Sequence, residues 1–426
     1  MQLVILAGGK GSRLGLIDVP KPMMSMMGKP LLERQIELAR DYGIDEVFIL
    51  SGHLAHVISD YFGDGSKWGM RIHHVVEPYP LGTAGALKLL KGQLTDRFLV
   101  FYGDVVMDFD IKAFQDFDAK RRGIASILVH PNSHPYDSDL VEVGEDFAVK
   151  SFLSKPHPEG LIYRNLVNAA VYIMSPEVMD YIESGVSCDF GRDVLPNLLK
   201  QNKKIYAYQT AEYIKDMGTK DRFSVVCQDW KSGKVSRLNK KNARLAIFLD
   251  RDGTLNKDMG KNPNTEDFQL FDDVPEAISR INKSDYLSII VTNQPMIAKG
   301  FVTFEDVENV HRKLETLLGK SHAYVDGIYY CPHHPERGFD GEVPELKIDC
   351  ECRKPKIGML LQAKKDFNID LSRSWMIGDN ETDMMAGKAA GCRTILVNNN
   401  SLKTDFADYV CLNLLEAINF IMEETR

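Results

Sequence analysis

Long hydrophobic runs are missing from this chain of 426 residues. No stretch reaches eighteen consecutive apolar residues, which excludes a membrane-crossing helix. Internal repeats, low-complexity tracts and coiled-coil heptads are missing too, so neither a solenoid nor a fibrous assembly is expected. Basic excess is also lacking. The formal net charge is −8, and a protein without a positive surface gains little from counterion release, so nucleic-acid binding is not expected as its main task. Cysteine is scarce and odd in number, at seven, which argues against a disulfide framework. The first apolar run starts at Leu3, leaving no room for a signal peptide, so a cytoplasmic protein with reduced thiols is expected. Cys188, Cys227, Cys392 and Cys411 are most simply small buried apolar residues.

What is present suggests more than one domain. A chain of this length exceeds what a single hydrophobic core usually serves. Apolar residues make up 44% and charged residues 26%, ordinary for a globular protein. Charge is uneven along the chain. Residues 1–230 carry 25 basic against 30 acidic residues, residues 231–244 carry six basic and no acidic ones, and residues 245–426 carry 21 against 30. The basic stretch from Lys231 to Arg244 reads as a solvated linker, which sets the expected domains at 1–230 and 245–426.

Apolar runs alternate with helical patterns in both halves. Residues 3–6, 46–50, 71–76 and 98–102 read as strands, with helices over 31–42 and 84–90. In the second half, 245–249, 288–292 and 374–377 read as strands. This alternation implies β-α-β crossovers and mostly parallel sheets flanked by helices, an α/β class with two Rossmann-like domains. In such sheets ligands sit beyond the carboxyl ends of the strands.

The most informative motif is Asp250-Arg251-Asp252-Gly253-Thr254, directly after Leu245–Leu249. Two carboxylates two residues apart suit hydrolysis of a phosphate ester through an aspartyl-phosphate. One attacks phosphorus, and the other protonates the leaving oxygen and then activates water. Surface loops carry this pattern by chance, but here Val291-Thr292-Asn293-Gln294, Arg353-Lys354-Pro355 and Gly378-Asp379-Asn380-Glu381-Thr382-Asp383 follow in order. The four together resemble the haloacid dehalogenase phosphatases. That resemblance makes Asp250 the nucleophile, Asp252 the general acid/base, and Asp250, Asp252 and Asp379 the holders of Mg²⁺. It also places Thr292, Asn293 and Gln294 around the phosphoryl group, Lys354 opposite its charge, Asp383 behind the metal and Arg353 at the substrate. Pro295 departs from the serine frequent after Thr-Asn-Gln.

At the other end, Ala7-Gly8-Gly9-Lys10-Gly11-Ser12-Arg13-Leu14 follows the first strand. Glycines there let backbone N–H groups approach a polyphosphate, and Arg13 can grip phosphate oxygens bidentately. The spacing is neither the Walker nor the dinucleotide pattern. With Pro20-Lys21-Pro22 and Gly28-Lys29-Pro30 it resembles the sugar-1-phosphate nucleotidyltransferases. The resemblance implies phosphate contacts from Gly8, Gly9, Gly11, Arg13 and Lys21, with Arg13 and Lys21 catalytic. It implies Mg²⁺ at Asp104 and Asp216, and sugar-phosphate contacts from Lys155 and Asn168. Ser154 and Ala169 depart from the glutamate and glycine common beside those last two. The Gly82-Thr83-Ala84-Gly85 turn with Glu77 upstream resembles the base-side loop of guanylyl-transferring members, pointing to GTP. The Met23, Met24, Met26 and Met27 group reads as packing.

Cys331-Pro332-His333 and Cys350-Glu351-Cys352 suggest a second metal. Ligands at i and i+2 of an extended segment point the same way, and three thiolates with one imidazole close a structural Zn²⁺ site. His334 competes with His333. A zinc loop just before Arg353 resembles the heptose bisphosphate and histidinol-phosphate phosphatases. The expected whole is therefore an enzyme of small-molecule substrates that dephosphorylates heptose 1,7-bisphosphate and converts the product to GDP-heptose. The alternatives are mannose-1-phosphate guanylyl transfer fused to another phosphatase, and a phosphatase with a catalytically dead regulatory first domain.

Overall fold

A computed structural model describes residues 1–9, 18–260, 265–397 and 405–424. The chain forms two compact units. The first comprises Met1–His130, Ser138–Lys155 and Leu166–Asn239; the second comprises Pro131–Asp137, Pro156–Asn165 and Lys240–Arg426. Two short segments of the first half thus belong to the phosphatase-like unit. No helix among the described residues is long and apolar enough to cross a membrane.

The first unit is built on strand Gln2–Ala7, an unbroken apolar run because both of its faces are covered. Val4 joins one buried cluster, while Leu3 and Ile5 join another on the opposite face. This strand pairs in parallel with Glu46–Ser51 and Phe98–Tyr102, and Glu46–Ser51 pairs in parallel with Arg71–Val76. The expected parallel order therefore holds for the half of the sheet below the Gly-rich turn. The other half is mixed: Val167–Met174 runs antiparallel to Phe98–Tyr102 and to Ala125–His130. The expected helix over 84–90 is a single turn, Gly82–Gly85, continued as a 3₁₀ segment, Ala86–Leu90.

Six parallel strands make the second sheet, in the order Gly327–Cys331, Tyr286–Asn293, Leu245–Leu249, Trp375–Gly378, Arg393–Val397 and Tyr409–Cys411. Its helices bury one apolar stripe each. On Phe304–Lys320 that stripe is Val307, Val310, Leu314 and Leu318, at the three- and four-residue spacing of one helix face. The basic stretch 231–244 is less solvated than its composition suggests. Lys234–Arg237 forms a helical turn with Lys234 and Val235 buried, and Arg244 is buried with Nε donating to Phe367 O at 2.6 Å. Long basic side chains cover apolar surface with their stems, so charge alone does not mark a stretch as linker.

Candidate active sites

In the second unit the motifs meet where the parallel strands end. Asp250 follows Leu245–Leu249, Thr292 and Asn293 close Tyr286–Asn293, and Asp379 follows Trp375–Gly378. All four line one cleft of ≈ 240 Å³ together with Asp252, Gln294, Lys354 and Asp383. Lys354 is buried, and its ammonium lies 2.6 Å from Asp250 Oδ1 and 2.6 Å from Asp383 Oδ1, while donating to Val291 O at 2.8 Å. Its backbone is locked as well: Lys354 N donates to Asn293 Oδ1 at 3.0 Å, and Asn293 Nδ2 donates back to Lys354 O at 3.1 Å. Removing one partner from a buried ion pair leaves an uncompensated charge costing about 3–5 kcal/mol.

The acidic cluster differs from the expected one. Asp250, Asp379 and Asp383 offer carboxylate oxygens within 4.8 Å of one another, whereas the Asp252 side chain is drawn elsewhere. Its oxygens accept from Arg251 (2.7 and 3.2 Å), Asn256 Nδ2 (2.9 Å) and Gln294 Nε2 (2.8 Å). Burial opposes its ionisation, but the Arg251 charge and these hydrogen bonds outweigh that and hold its carboxyl below the usual range. Asp383, on the first turn of Glu381–Ala390, lines the cleft and stands in the group instead. Burial pushes the Asp250 carboxyl up despite Lys354, with Asp383 and Asp252 adding to the rise. Burial and the Asp250 charge likewise push Asp379 up to about 6, and its buried Oδ1 has no hydrogen-bond partner. Three crowded carboxylates facing one ammonium, with one oxygen unpartnered, fit a hard divalent cation. Gly253 is required here: its φ is +86°, and a Cβ would sit 2.1 Å from Asp379 Oδ2.

Cys331, His333, Cys350 and Cys352 are brought together at one edge of this unit. Their donor atoms lie 3.2–3.7 Å apart, close to the ~3.7 Å edge of a tetrahedron with metal–sulfur bonds of about 2.3 Å. The donor chemistry fits zinc. His334 stands outside the group, its ring packed on Phe339 and its buried Nδ1 without a partner. Arg353 does not line the cleft, and its guanidinium donates to His333 O at 3.3 Å. Sequence reasoning missed Asp258, Met259 and Gly260, which do line it and carry no distinguishing pattern.

In the first unit, Gly11 and Arg13 lie outside the described residues. Gly8 lies against Glu77: a Cβ there would come within 2.1 Å of Glu77 Oε1, which only glycine avoids. Glu77 in turn accepts from Leu81 N at 3.0 Å, shaping the Gly82 turn. Lys21 Nζ pairs with Asp104 Oδ2 at 2.5 Å. Asp216 sits on the strand beside it: Tyr213–Asp216 pairs with Val105–Asp108, and Met217 N donates to Asp104 O at 3.3 Å. Burial works against the Asp216 charge, yet Arg222 at 2.8 Å, Gly218 N and the nearby Lys21 hold its carboxyl low. Two carboxylates, Asp216 at the end of a strand and Asp104 in the turn before the strand paired with it, each now neutralised by a cation, fit a divalent ion that would replace those partners. Gln35 was not anticipated. Buried on the helix Leu31–Asp41, it donates to Tyr102 O at 2.9 Å and Val105 O at 2.7 Å, bracketing the Gly103–Asp104 turn. Asn168 Nδ2 donates to the Tyr172 hydroxyl at 3.0 Å, and Lys155 N donates to Asp139 Oδ1 at 3.2 Å. In the turn after Glu77, the Thr83 hydroxyl donates to Asp189 Oδ2 at 2.7 Å.

The comparisons with known proteins divide as the motifs do. A family model described as nucleotidyl transferase matches residues 2–232, and one described as HAD-hydrolase-like matches 351–417. A D-glycero-beta-D-manno-heptose-1,7-bisphosphate 7-phosphatase of Haemophilus ducreyi is 39% identical over 182 residues, covering 41% of this chain and 97% of that protein. The Pasteurella multocida enzyme of the same name is 42% identical over 174 residues, covering 41% and 92%. Among solved structures, HddC from Yersinia pseudotuberculosis is 27% identical and covers 54% of this chain and 99% of that one, at a TM-score of 0.47. The chain belongs to the nucleotidyl transferase family through residues 2–232 and to the family of the D-glycero-beta-D-manno-heptose-1,7-bisphosphate 7-phosphatases through its second half.

Proposed function

We propose that this single chain dephosphorylates heptose 1,7-bisphosphate at carbon 7 and transfers GMP from GTP to the resulting heptose 1-phosphate, giving GDP-heptose and pyrophosphate. The observation that carries the reading is the near-complete coverage of a heptose bisphosphate phosphatase by the half of the chain in which Asp250, Thr292, Lys354 and Asp379 share one cleft.

For hydrolysis, an Asp250 oxygen attacks phosphorus and the bond from phosphorus to the sugar oxygen breaks. Asp252 delivers its proton to that oxygen. The dianionic phosphate arriving beside Asp252 raises its proton affinity, which offsets the pull of Arg251. Water then attacks the aspartyl-phosphate, Asp252 takes the water's proton, and Asp250 is released. Thr292 and Asn293 hold the phosphoryl oxygens and Lys354 offsets their charge. A Mg²⁺ held by Asp250, Asp379 and Asp383 would supply further charge neutralisation. Zn²⁺ at Cys331, His333, Cys350 and Cys352 is structural in this reading, because no position stays open.

For nucleotidyl transfer, an oxygen of the sugar 1-phosphate attacks the α-phosphorus of GTP, the bond from that phosphorus to the α–β bridging oxygen breaks, and pyrophosphate leaves. Lys21 and Arg13 stabilise the charge that develops, and Asp104 and Asp216 would hold Mg²⁺. Lys155 and Asn168 orient the sugar phosphate; Glu77 and the Gly82 turn favour guanine. Seven unpaired thiols fit a cytoplasmic enzyme.

The test separates the two sites. Asp250→Asn is expected to abolish phosphate release and leave pyrophosphate release from GTP plus heptose 1-phosphate within a few-fold of wild type, and Asp104→Ala the reverse. Folded variants in which either substitution silences both activities would refute the two-site reading.

A further inference from the structure

The phosphatase unit contains a strap that comes from the other half of the sequence. Segment Pro156–Asn165 lies along the helix Phe304–Lys320. Tyr163 N donates to Thr316 Oγ1 at 3.0 Å. Gly319 leaves room for the strap and for Pro135, since a Cβ there would come within 2.6 Å of Pro135 Cγ and 3.1 Å of the Tyr163 hydroxyl. From this strap Arg164 reaches in, with Nε 2.5 Å from Glu315 Oε2 and a terminal nitrogen 2.9 Å from Glu308 Oε2.

A buried polar chain leads from there to the cleft. Glu308 Oε1 lies 3.9 Å from His311 Nδ1, beyond hydrogen-bond reach, and the carboxylate acts through its field on that buried nitrogen, which has no hydrogen-bond partner. His311 Nε2 lies 3.1 Å from Arg251 Nη1. An arginine only donates, so Nε2 must accept, and the ring proton sits on Nδ1 facing Glu308. Arg251, almost fully buried, then donates through two nitrogens to Asp252. The groups thus hold one another in line: Arg164 anchors the Glu308 carboxylate beside Glu315, that carboxylate faces the His311 Nδ1–H, and His311 Nε2 accepts from the guanidinium that holds Asp252.

We propose that Arg164 is a positioning residue for phosphate release, acting through Glu308, His311 and Arg251 on the Asp252 carboxylate. The inference rests on the phosphatase reading above. The Haemophilus ducreyi relative is matched over 97% of its length by 41% of this chain, a share too short to run from the strap to Asp383. In this chain the proton-transferring carboxylate is therefore set by residues on both sides of the basic stretch.

The experiment measures phosphate release from heptose 1,7-bisphosphate by the full chain with Mg²⁺. Because no residue of the strap lines the cleft, Arg164→Met is expected to lower kcat by about tenfold to a hundredfold, the scale of an ångström of misplacement, and to leave KM within about twofold. Arg164→Lys, which keeps the charge and loses the fork, should recover part of the rate. The double variant Arg164→Met/His311→Leu should be no slower than the slower single variant, because both cut one chain. If Arg164→Met does not fold, Glu308→Gln, of the same size without charge, is expected to show the same fall in kcat. Wild-type kcat in either folded variant, or losses that multiply in the double variant, would overturn the proposal. A wild-type chain that releases phosphate from neither the bisphosphate nor p-nitrophenyl phosphate would instead overturn the phosphatase reading beneath it.

Discussion

His311 is a fully buried imidazole whose ionisation is opposed by burial and by the Arg251 charge, against the pull of Glu308, so that its pKa falls to about 4. An exposed histidine in the unfolded chain titrates near 6.5. Between those values the unfolded state binds a proton that the folded state does not, so stability is lost as the pH falls through this window. At pH 5 the loss relative to pH 7 is about 2 kcal/mol. Raised Asp250 and Asp379 carboxyls act in the opposite sense over the same window, so the test by thermal unfolding is the difference between two proteins. From pH 7 to pH 5 the phosphatase unit of wild type should lose about 2 kcal/mol relative to that of His311→Leu, and an equal pH dependence in the two would contradict it. The site was unevenly legible at this scale. Asp250, Thr292 and Asp379 were readable because each directly ends or follows an apolar run, where a strand must stop and its next residues face the crevice. Asp383 outranks Asp252 in the acidic cluster for a reason no spacing reveals: Arg251, Asn256 and Gln294 compete for the Asp252 carboxylate. Gln35 was invisible because a lone polar residue on a helix looks solvated until the helix is seen against the Gly103 turn.

At the scale of elements, the parallel strands announced themselves as continuous apolar runs, since burial on both faces leaves no polar alternation. Antiparallel Val167–Met174 was not anticipated, and its Asn168 and neighbouring small residues break such a run. The strap Pro156–Asn165 was illegible, being short, irregular and joined to its helix only by tertiary contacts. The loop carrying Cys331, His333, Cys350 and Cys352 was legible as two pairs with i and i+2 spacing. This loop follows the edge strand Gly327–Cys331 and leads directly into Arg353-Lys354, so a metal held there would stiffen the backbone that delivers Lys354 to Asp250. Protein purified without chelator should contain about one zinc per chain. Cys350→Ser should lower the unfolding temperature of this unit and cost phosphate release while leaving pyrophosphate release in place. Fully active protein without zinc would refute the site.

For the whole molecule the two chemistries constrain each other. A transferase that uses the anomeric phosphate as its nucleophile needs that phosphate intact, so the partnered phosphatase must remove the one at carbon 7. The leaving group there is a primary alkoxide, which needs the proton that Asp252 supplies. The transferase forms its new bond between the sugar-phosphate oxygen and the α-phosphorus and never breaks the bond from carbon 1 to oxygen, so the anomer of the bisphosphate passes unchanged into the nucleotide sugar. Supplying heptose 1,7-bisphosphate and GTP with Mg²⁺ to the full chain should release phosphate first, then pyrophosphate in step with GDP-heptose. With GTP omitted, heptose 1-phosphate should accumulate in the anomer supplied. Replacing GTP by ATP, UTP or dTTP should slow pyrophosphate release without affecting phosphate release, if the Gly82 turn and Glu77 serve one site, as proposed, and Asp250 the other. Heptose 7-phosphate as the main product would refute the order, and a faster rate with histidinol phosphate than with the bisphosphate would refute the substrate.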